Sequence, residues 1–287
     1  MTRNQHYVPQ FYLKEFTSDN DSIYTYDIEK NIIGCKNSTR HLCSIDYFYE
    51  QNSIPDNIVE NYLSEIENIL SNWLVDILYR LSNTSNCSIR LTCKDIANLY
   101  LFISFQMFRT PSGLKCLEKV IKDYGNTDDM ILISQDAKLL FKNSKFLELA
   151  KLSLIDIGFG LALYMTDYLV IDSVNIFKGF DIWTSDVPIT SYNKFESVGF
   201  SLSKDYYVLV HFSTSKITNI PTKAIIRSSD ILYLQQDRNK LSVKAVRLIP
   251  SPYKVFNKAS TIIIKSSKFT DCDIKYIKRI RGGQNDN

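Results

Sequence analysis

The chain has 287 residues, of which 45% are hydrophobic and 23% are charged, and this composition excludes intrinsic disorder and fibrous structure. Its 9 glycines and 7 prolines are few for this length, which argues against a glycine-rich loop for phosphate. The 34 basic and 31 acidic residues leave a net charge of +3, too small to attract polyanions in general. Only a local basic patch would therefore bind nucleic acid.

Cysteine spacing and apolar runs give an expectation for the cellular compartment. The 6 cysteines form no C-x-x-C pair and follow no regular spacing, so neither a disulfide framework nor a zinc framework is expected. The N-terminus has no apolar stretch of signal-peptide type, and the longest strongly apolar run, 157–165, is far shorter than the roughly 20 residues of a membrane span. We expect a cytoplasmic protein with free thiols and no membrane partner.

The first half of the chain predicts a hairpin followed by helices. Aromatic and β-branched patches at 22–26 and 31–35 predict a β-hairpin. Apolar residues then recur every three or four positions over 56–81, which predicts a long helix entered through 53–56. Thr92 and Asp95 are typical of the cap of a second helix over 96–109. Because this helix is apolar on every side, we expect it to be the buried central helix. It should end before Pro111, since the residue before a proline disfavours the helical conformation. Three further helices are predicted at 113–123, 129–141 and 145–163.

After Thr166 the pattern changes to strands. They are predicted at 168–171, 180–184, 207–212 and 261–264, and 224–246 is ambiguous between helix and strand. Because strands flank helices instead of alternating with them, the predicted fold class is α+β. Its expected architecture is a central bundle of four or five helices (about 56–163), flanked by the N-terminal β-hairpin and a C-terminal, mainly antiparallel sheet within a β-rich part at about 166–266. No composition break marks a linker, so we expect a single domain over 1–287.

The best local basic patch lies near the C-terminus, at Lys275, Lys278, Arg279 and Arg281. The pair Gly282-Gly283 and the polar tail after it predict a solvated, frayed terminus instead of a nucleic-acid surface, with the frayed tail at 282–287.

The sequence lacks the common nucleotide-binding, hydrolase and metalloprotease motifs, and three polar clusters in apolar surroundings remain as candidates. The first is the N-terminal segment 4–13, which is dense in amide, imidazole and aromatic groups. There His6 would act as an acid or base while Gln10 positions a ligand. Alternatively, the aromatic residues pack on the core and His6 satisfies a backbone carbonyl.

The second cluster closes the apolar helix, where Gln106 and Arg109 share one face just before Thr110. A guanidinium buried there needs an anionic partner, which is either an internal Asp or the phosphate or carboxylate of a ligand. The third cluster, 183–188, follows a predicted strand and contains Ser185 and Asp186. Asp186 would pair with Arg109, assist His6 or hold a metal ion, or the segment is simply turn chemistry before a proline.

These clusters resemble the pattern of the bacterial domain-of-unknown-function family 4238. The opening N-Q-H-Y-V-P-Q-F-Y-L (4–13), then Q-x-x-R-T-P (106–111) and T-S-D-x-P (184–188), follow its order and spacing over nearly the whole chain. H-Y-V-P-x-F-x-L is the specific part. Departures occur at Val187, where the family often has Asn, and at 200–203, where a proline-containing strand start is more usual. The resemblance implies no established activity, but it implies one site formed by His6, Gln10, Gln106, Arg109, Ser185 and Asp186.

Three functional hypotheses follow. The favoured one is an intracellular enzyme acting on a phosphate-containing substrate, above all a nuclease. In it His6 would transfer protons, Arg109 would neutralise phosphoryl charge and Asp186 would orient His6 or a divalent metal. Substrate would be bound by Gln10, Gln106, Thr110 and Ser185. The alternatives are a nucleotide- or partner-binding sensor without turnover, and a structural role in which Arg109 and Asp186 form a buried ion pair capped by His6.

Overall fold

The N-terminal hairpin forms as predicted. A computed structural model describes residues 3–49, 57–84, 89–124, 170–192, 196–213 and 259–282, together with positions 151, 154–155, 157–162, 165, 247–248 and 257. In it strands β2 (Ile23–Asp27) and β3 (Ile32–Lys36) pair antiparallel. Asn31 in the connecting turn has a φ of 55°, in the left-handed region that an Asn side chain tolerates.

This hairpin is not a separate flanking element, because it shares a sheet with strands from the second half of the chain. Its strand β2 pairs antiparallel with β11 (Ile262–Lys265), which in turn pairs with β6 (Thr184–Ser185). The strand order is β3-β2-β11-β6. The two ends of the chain are therefore joined by backbone hydrogen bonds.

Two further sheets complete the strand content of the described residues. Their strands are β1 (Asn4–His6), β4 (Ser44–Asp46), β5 (Val170–Lys178), β7 (Thr190–Tyr192), β8 (Ser197–Ser201), β9 (Tyr206–Ser213) and β10 (Arg247–Leu248). The larger sheet has the order β10-β5-β9-β8-β7 and is antiparallel except for the β10–β5 pair. The smaller sheet pairs β1 with β4 antiparallel.

The predicted strands at 207–212 and 261–264 are confirmed. Of the one at 168–171, residues 170–171 are the start of the longer β5, and 168–169 lie outside the described residues. The strand at 180–184 is wrong, since of these residues only Thr184 is in a strand. Asp181 breaks it with a φ of 54°, and its carboxylate accepts hydrogen bonds from Lys265 Nζ at 3.1 Å and Ser266 Oγ at 2.9 Å. The ambiguous segment 224–246 lies outside the described residues.

The helices follow the predicted apolar periodicity with shifted ends. They are α1 (Gln10–Lys14), which was not predicted, then α2 (Ile58–Ser82), α3 (Cys93–Phe108), α4 (Pro111–Tyr124) and α5 (Asp271–Gly282). Helix α4 begins two residues earlier than predicted, because Pro111 occupies its first turn and Thr110 Oγ1 accepts from the Gly113 amide at 3.1 Å. The described positions within 145–163 are helical, whereas 53–56 and 129–141 lie outside the description.

The C-terminal basic residues lie on helix α5, where Lys275, Lys278 and Arg279 are exposed to solvent. Thr270 and Asp273 cap the helix reciprocally, with Asp273 N donating to Thr270 Oγ1 at 3.2 Å and Thr270 N donating to Asp273 Oδ2 at 2.9 Å. Acids in the first turn and Arg279 and Arg281 in the last turn suit the helix dipole. Residues 283–287 lie outside the described part.

Helix α3 is the buried central helix that its apolar sequence predicts. Its residues from Ala97 to Gln106 are buried, and Phe102 packs on Phe200 of the larger sheet with ring centroids 5.0 Å apart. On another side Phe102 faces Trp73 of α2 at 6.3 Å. A hydrophobic core runs without a break from the N-terminal segment through these helices to β11.

Gly158 allows the helical segment at 157–162 to approach α3 closely. A Cβ atom at this position would lie 2.6 Å from the ring of Phe105, closer than carbon atoms pack. Across the part of the chain that the structure describes, no helix has the length and apolarity needed to cross a membrane.

The cap of α3 gives a first test of the fold. Thr92 Oγ1 accepts from Asp95 N at 3.2 Å, and Thr92 N donates to Asp95 Oδ2 at 2.7 Å. We expect Thr92→Ala to lower the free energy of unfolding by about 1 kcal/mol in urea denaturation, because an N–H of the first turn loses its acceptor. Thr17→Ala is the control, since that hydroxyl only donates to a carbonyl near an exposed helix end. Equal effects of the two substitutions would contradict the assignment.

Candidate functional site

Strand β1 carries the N-terminal cluster into the interior. It pairs with β4 with His6 opposite Ser44, and the Tyr7 amide donates to the Cys43 carbonyl at 3.0 Å. His6 is only 7% exposed as a result. The Tyr49 amide also donates to Gln5 Oε1 at 2.6 Å. The N-terminal segment is therefore held by backbone and side-chain hydrogen bonds on both sides.

Arg109 is the centre of the polar cluster beneath this strand. Its Nη2 donates to the His6 carbonyl and to Glu67 Oε1, each at 2.6 Å, and the residue is 3% exposed. The Tyr49 hydroxyl donates to the Arg109 carbonyl at 3.1 Å. Burial disfavours the charged guanidinium, but Glu67 and Tyr49 more than offset it and hold the pKa of Arg109 above its usual value. One ion thus connects β1, α2 and the end of α3.

The two glutamines predicted as ligand-binding residues contact the same N-terminal segment, at His6 and Tyr7. Gln106 Nε2 donates to the Tyr7 carbonyl at 3.1 Å, next to the carbonyl that Arg109 binds. The shared helical face predicted for Gln106 and Arg109 is thus occupied by two consecutive carbonyls of the chain. Gln10, in the first turn of α1, places Nε2 3.5 Å from His6 Nδ1.

The third cluster bonds to the start of β11. Asp186 Oδ1 accepts from the amides of Thr261 at 2.9 Å and Ile262 at 3.1 Å, and its Oδ2 accepts from the Thr261 hydroxyl at 2.6 Å. The hydroxyl of Ser185 lies 2.8 Å from that of Ser260. Arg109 therefore pairs with Glu67 and not with Asp186, because the Asp186 carboxylate already receives these N–H and O–H donors.

Asp186 nevertheless lies close to the N-terminal segment. Burial raises the pKa of Tyr7 and of Cys43, and the negative charge of Asp186 raises both further. Tyr7 directly follows β1, and Cys43 directly precedes β4. Thr110 lies at the junction of α3 and α4, where its hydroxyl caps α4. The roles of these residues toward a substrate stay predictions.

Two acidic residues of α2 that the sequence did not single out belong to the cluster. Glu67 neutralises Arg109, and Glu60 is two helical turns away on the same side. Burial raises the pKa of Glu60 to about 7, with Arg109 acting against the shift and Glu67 adding to it. In the sequence both look like solvated polar positions beside an apolar stripe. The only signal was that a buried arginine needs a nearby anion.

Four polar atoms in this cluster have no hydrogen-bond partner among the described residues: Gln5 Nε2, His6 Nε2, Arg109 Nε and Glu60 Oε2. Burial lowers the pKa of His6, while Glu67 and the carbonyls of Thr39 and Arg40 act against that shift. Buried polar atoms are normally satisfied, so unpartnered ones concentrated in one place mark this cluster as the candidate site. No group of three His, Cys, Asp or Glu suited to a metal ion occurs within the described ranges.

Comparison with known proteins places the chain in a family. A family model described as a protein of unknown function (DUF4238) matches residues 4–148, which include the N-terminal motif and Q-x-x-R-T-P. The chain belongs to this family. The T-S-D-x-P segment lies beyond the matched residues. No curated protein and no solved structure matches the chain.

The Arg109–Glu67 pair gives a test by a double-mutant cycle. Glu67→Gln removes the counter-charge of a buried guanidinium and should cost about 3 kcal/mol in urea denaturation. Arg109→Met should cost a similar amount, but the double variant should cost clearly less than the sum, because it leaves no buried charge unpaired. Glu65→Gln, at an exposed position of α2, is the control. Strict additivity of the two substitutions would show that the ion pair is not coupled.

Glu60 predicts a pH dependence of stability. Its usual pKa is 4.5 and its folded pKa is about 7, so the folded state binds the proton more tightly. The free energy of unfolding should therefore fall as pH rises between these values. Glu60→Gln removes this loss and should stabilise the protein by about 1 kcal/mol above pH 7, after allowance for solvent screening, and by almost nothing below pH 4.5. An equal effect in urea denaturation at both ends of this range would contradict the shift.

Proposed function

We propose that the chain is a cytoplasmic enzyme that acts on a phosphate-containing substrate, with cleavage of a nucleic-acid phosphodiester as the favoured reaction. One observation carries the proposal: His6 and Glu60 lie in the same cluster, and each keeps a buried polar atom without a partner among the described residues. A helical bundle of four or five helices between the hairpin and the C-terminal strands would be its scaffold.

The proton chemistry assigns complementary roles to the two groups. Burial lowers the pKa of His6, so at neutral pH its imidazole is uncharged, and Nδ1, the nitrogen beside the Gln10 amide N–H₂, would accept a proton from water or another nucleophile. Glu60 has a pKa of about 7 and is partly protonated there, so it can donate a proton to a leaving oxygen. Two groups whose surroundings move their pKa values in opposite directions are a typical acid–base arrangement.

The remaining residues would hold the substrate and the two proton-transfer groups. Nη2 of Arg109 fixes the His6 carbonyl, and its unpartnered Nε–H would donate to a phosphoryl oxygen. Gln10, 3.5 Å from the His6 ring, would position substrate beside it. Gln106, Thr110, Ser185 and Asp186 stay proposed members of the site, and a divalent metal at Asp186 stays open to test.

A second candidate function, a nucleotide- or partner-binding sensor without turnover, has its own support. Arg109 is 3% exposed, and Glu67 at 2.6 Å already balances its charge. A guanidinium whose charge is already balanced by a carboxylate stabilises the negative charge that develops on a phosphoryl group less than an unpaired guanidinium would. Binding that needs only orientation and hydrogen bonds would not suffer from this.

The experiment measures cleavage of single- and double-stranded DNA and RNA, with and without Mg²⁺, together with thermal shifts by nucleotides. We expect His6→Gln and Glu60→Gln each to reduce cleavage by about 10²- to 10⁴-fold, because each removes a proton-transfer group. His41→Gln and Glu65→Gln, both at exposed positions, are matched controls that should keep full activity. Folded His6 and Glu60 variants that are fully active would remove the enzyme proposal. Thermal shifts without product would support the sensor instead.

A further inference from the structure

The net charge of the chain is concentrated in helix α5 and the short segment before it. Residues 266–282 contain five basic and two acidic side chains, and this surplus of three equals the net charge of +3 of the whole chain. All other residues together are therefore neutral. A charge asymmetry of this kind is typical of a chain that meets a charged partner through one segment.

One of the two acids in this segment is neutralised inside the protein. Asp273 is 5% exposed, and its Oδ2 lies 3.0 Å from Lys265 Nζ and accepts from the Thr270 amide at 2.9 Å. Asp271, in the first turn, is the exposed acid of α5. The outer surface of the helix therefore carries basic side chains with little negative charge beside them.

Packing fixes which side of α5 faces the solvent. Ile277 is fully buried and belongs to the apolar cluster around Trp183, on the four-stranded sheet. At 3.6 residues per turn, Lys275, Lys278 and Arg279 lie on the side opposite Ile277, and all three are exposed. They lie within about 6 Å of each other along the helix axis. Together they form the basic face of α5.

No carboxylate forms an ion pair with the basic face in the part of the chain that the structure describes. Other exposed cations do have such a partner, as Arg3 has in Asp46 at 2.8 Å. The Arg279 guanidinium instead lies 5.9 Å from the ring centroid of Tyr276. Like charges three and four positions apart on a helix repel each other, so the basic face costs stability until an anion binds to it.

We infer that the basic face of α5 binds the phosphate backbone of a nucleic acid. Neighbouring cations at this spacing can each contact a phosphate oxygen of one strand. A membrane or a protein partner fits less well, because both need exposed apolar side chains and α5 buries Ile277 against the sheet. Its exposed large apolar side chain is Ile280, at 39%. The inference goes beyond the proposed cleavage, since binding at α5 needs none of the groups around His6.

Fluorescence anisotropy with a labelled single-stranded RNA, and with DNA of the same sequence, tests this binding directly. For three phosphate contacts, the logarithm of the association constant should fall with the logarithm of the salt concentration at a slope of about −2. Wild-type protein that binds neither probe, binds them independently of salt, or binds phosphatidylserine vesicles more tightly overturns the inference. Electrophoresis of the probes reports cleavage separately. Binding at α5 without cleavage would support this inference and count against the proposed enzyme.

A matched pair of double variants locates the binding surface. Lys275→Gln with Arg279→Gln should weaken RNA binding by about tenfold at low salt, for every probe sequence, and make the salt slope shallower by about 1. Lys115→Gln with Lys119→Gln is the control, because it removes two exposed cations one turn apart on α4, where Glu118 lies between them. This variant should bind almost as wild type does. Equal weakening by the two variants would show general attraction to positive charge and overturn the role of α5.

Discussion

The buried charge of Arg109 constrains much of this structure. A guanidinium that is 3% exposed is stable only if its surroundings supply acceptors and a counter-charge. Here the acceptor is the carbonyl of His6 on β1, and the counter-charge is Glu67 on α2. Since Arg109 itself ends α3, one side chain fixes the relative position of three elements that are distant in the sequence. The N-terminal strand, which would otherwise fray, is held as part of the interior.

The same principle recurs at the opposite end of the helix pair. Arg80 bridges Asp76 on its own helix and Asp95, which also caps α3. Between the two ionic ends, α3 packs its apolar residues against α2 and the larger sheet. The apolar surface supplies the bulk of the stabilisation, while the two ion pairs oppose sliding of the helices along each other, because either shift would strand a charge.

Polar groups that are incompletely satisfied occur at both ends of this pair. At one end they surround Arg109, where burial lowers the pKa of His6 and raises that of Glu60. At the other they belong to Trp73, Arg80 and Asn98, whose side chains lie beside an open cleft. Membership in a family of unknown function assigns no chemistry to either. The contrast between them is physical, since the first cluster contains titratable groups with shifted pKa values and the second presents mainly fixed donors.

The sequence by itself determined the local elements and one part of the site. Periodicity predicted the hairpin, α2 and the buried α3. Polar residue types in apolar surroundings indicated four candidate site residues: His6, Gln10, Gln106 and Arg109. It missed the bend at Asp181, because the side-chain hydrogen bonds that stop the strand come from residues more than eighty positions later. It also missed Glu67 and Glu60, and it considered Asp186 as the partner of Arg109. Only the tertiary structure decided which anion neutralises Arg109 and which strands share a sheet, because ion pairing and strand pairing depend on distances between parts of the chain that local patterns do not encode.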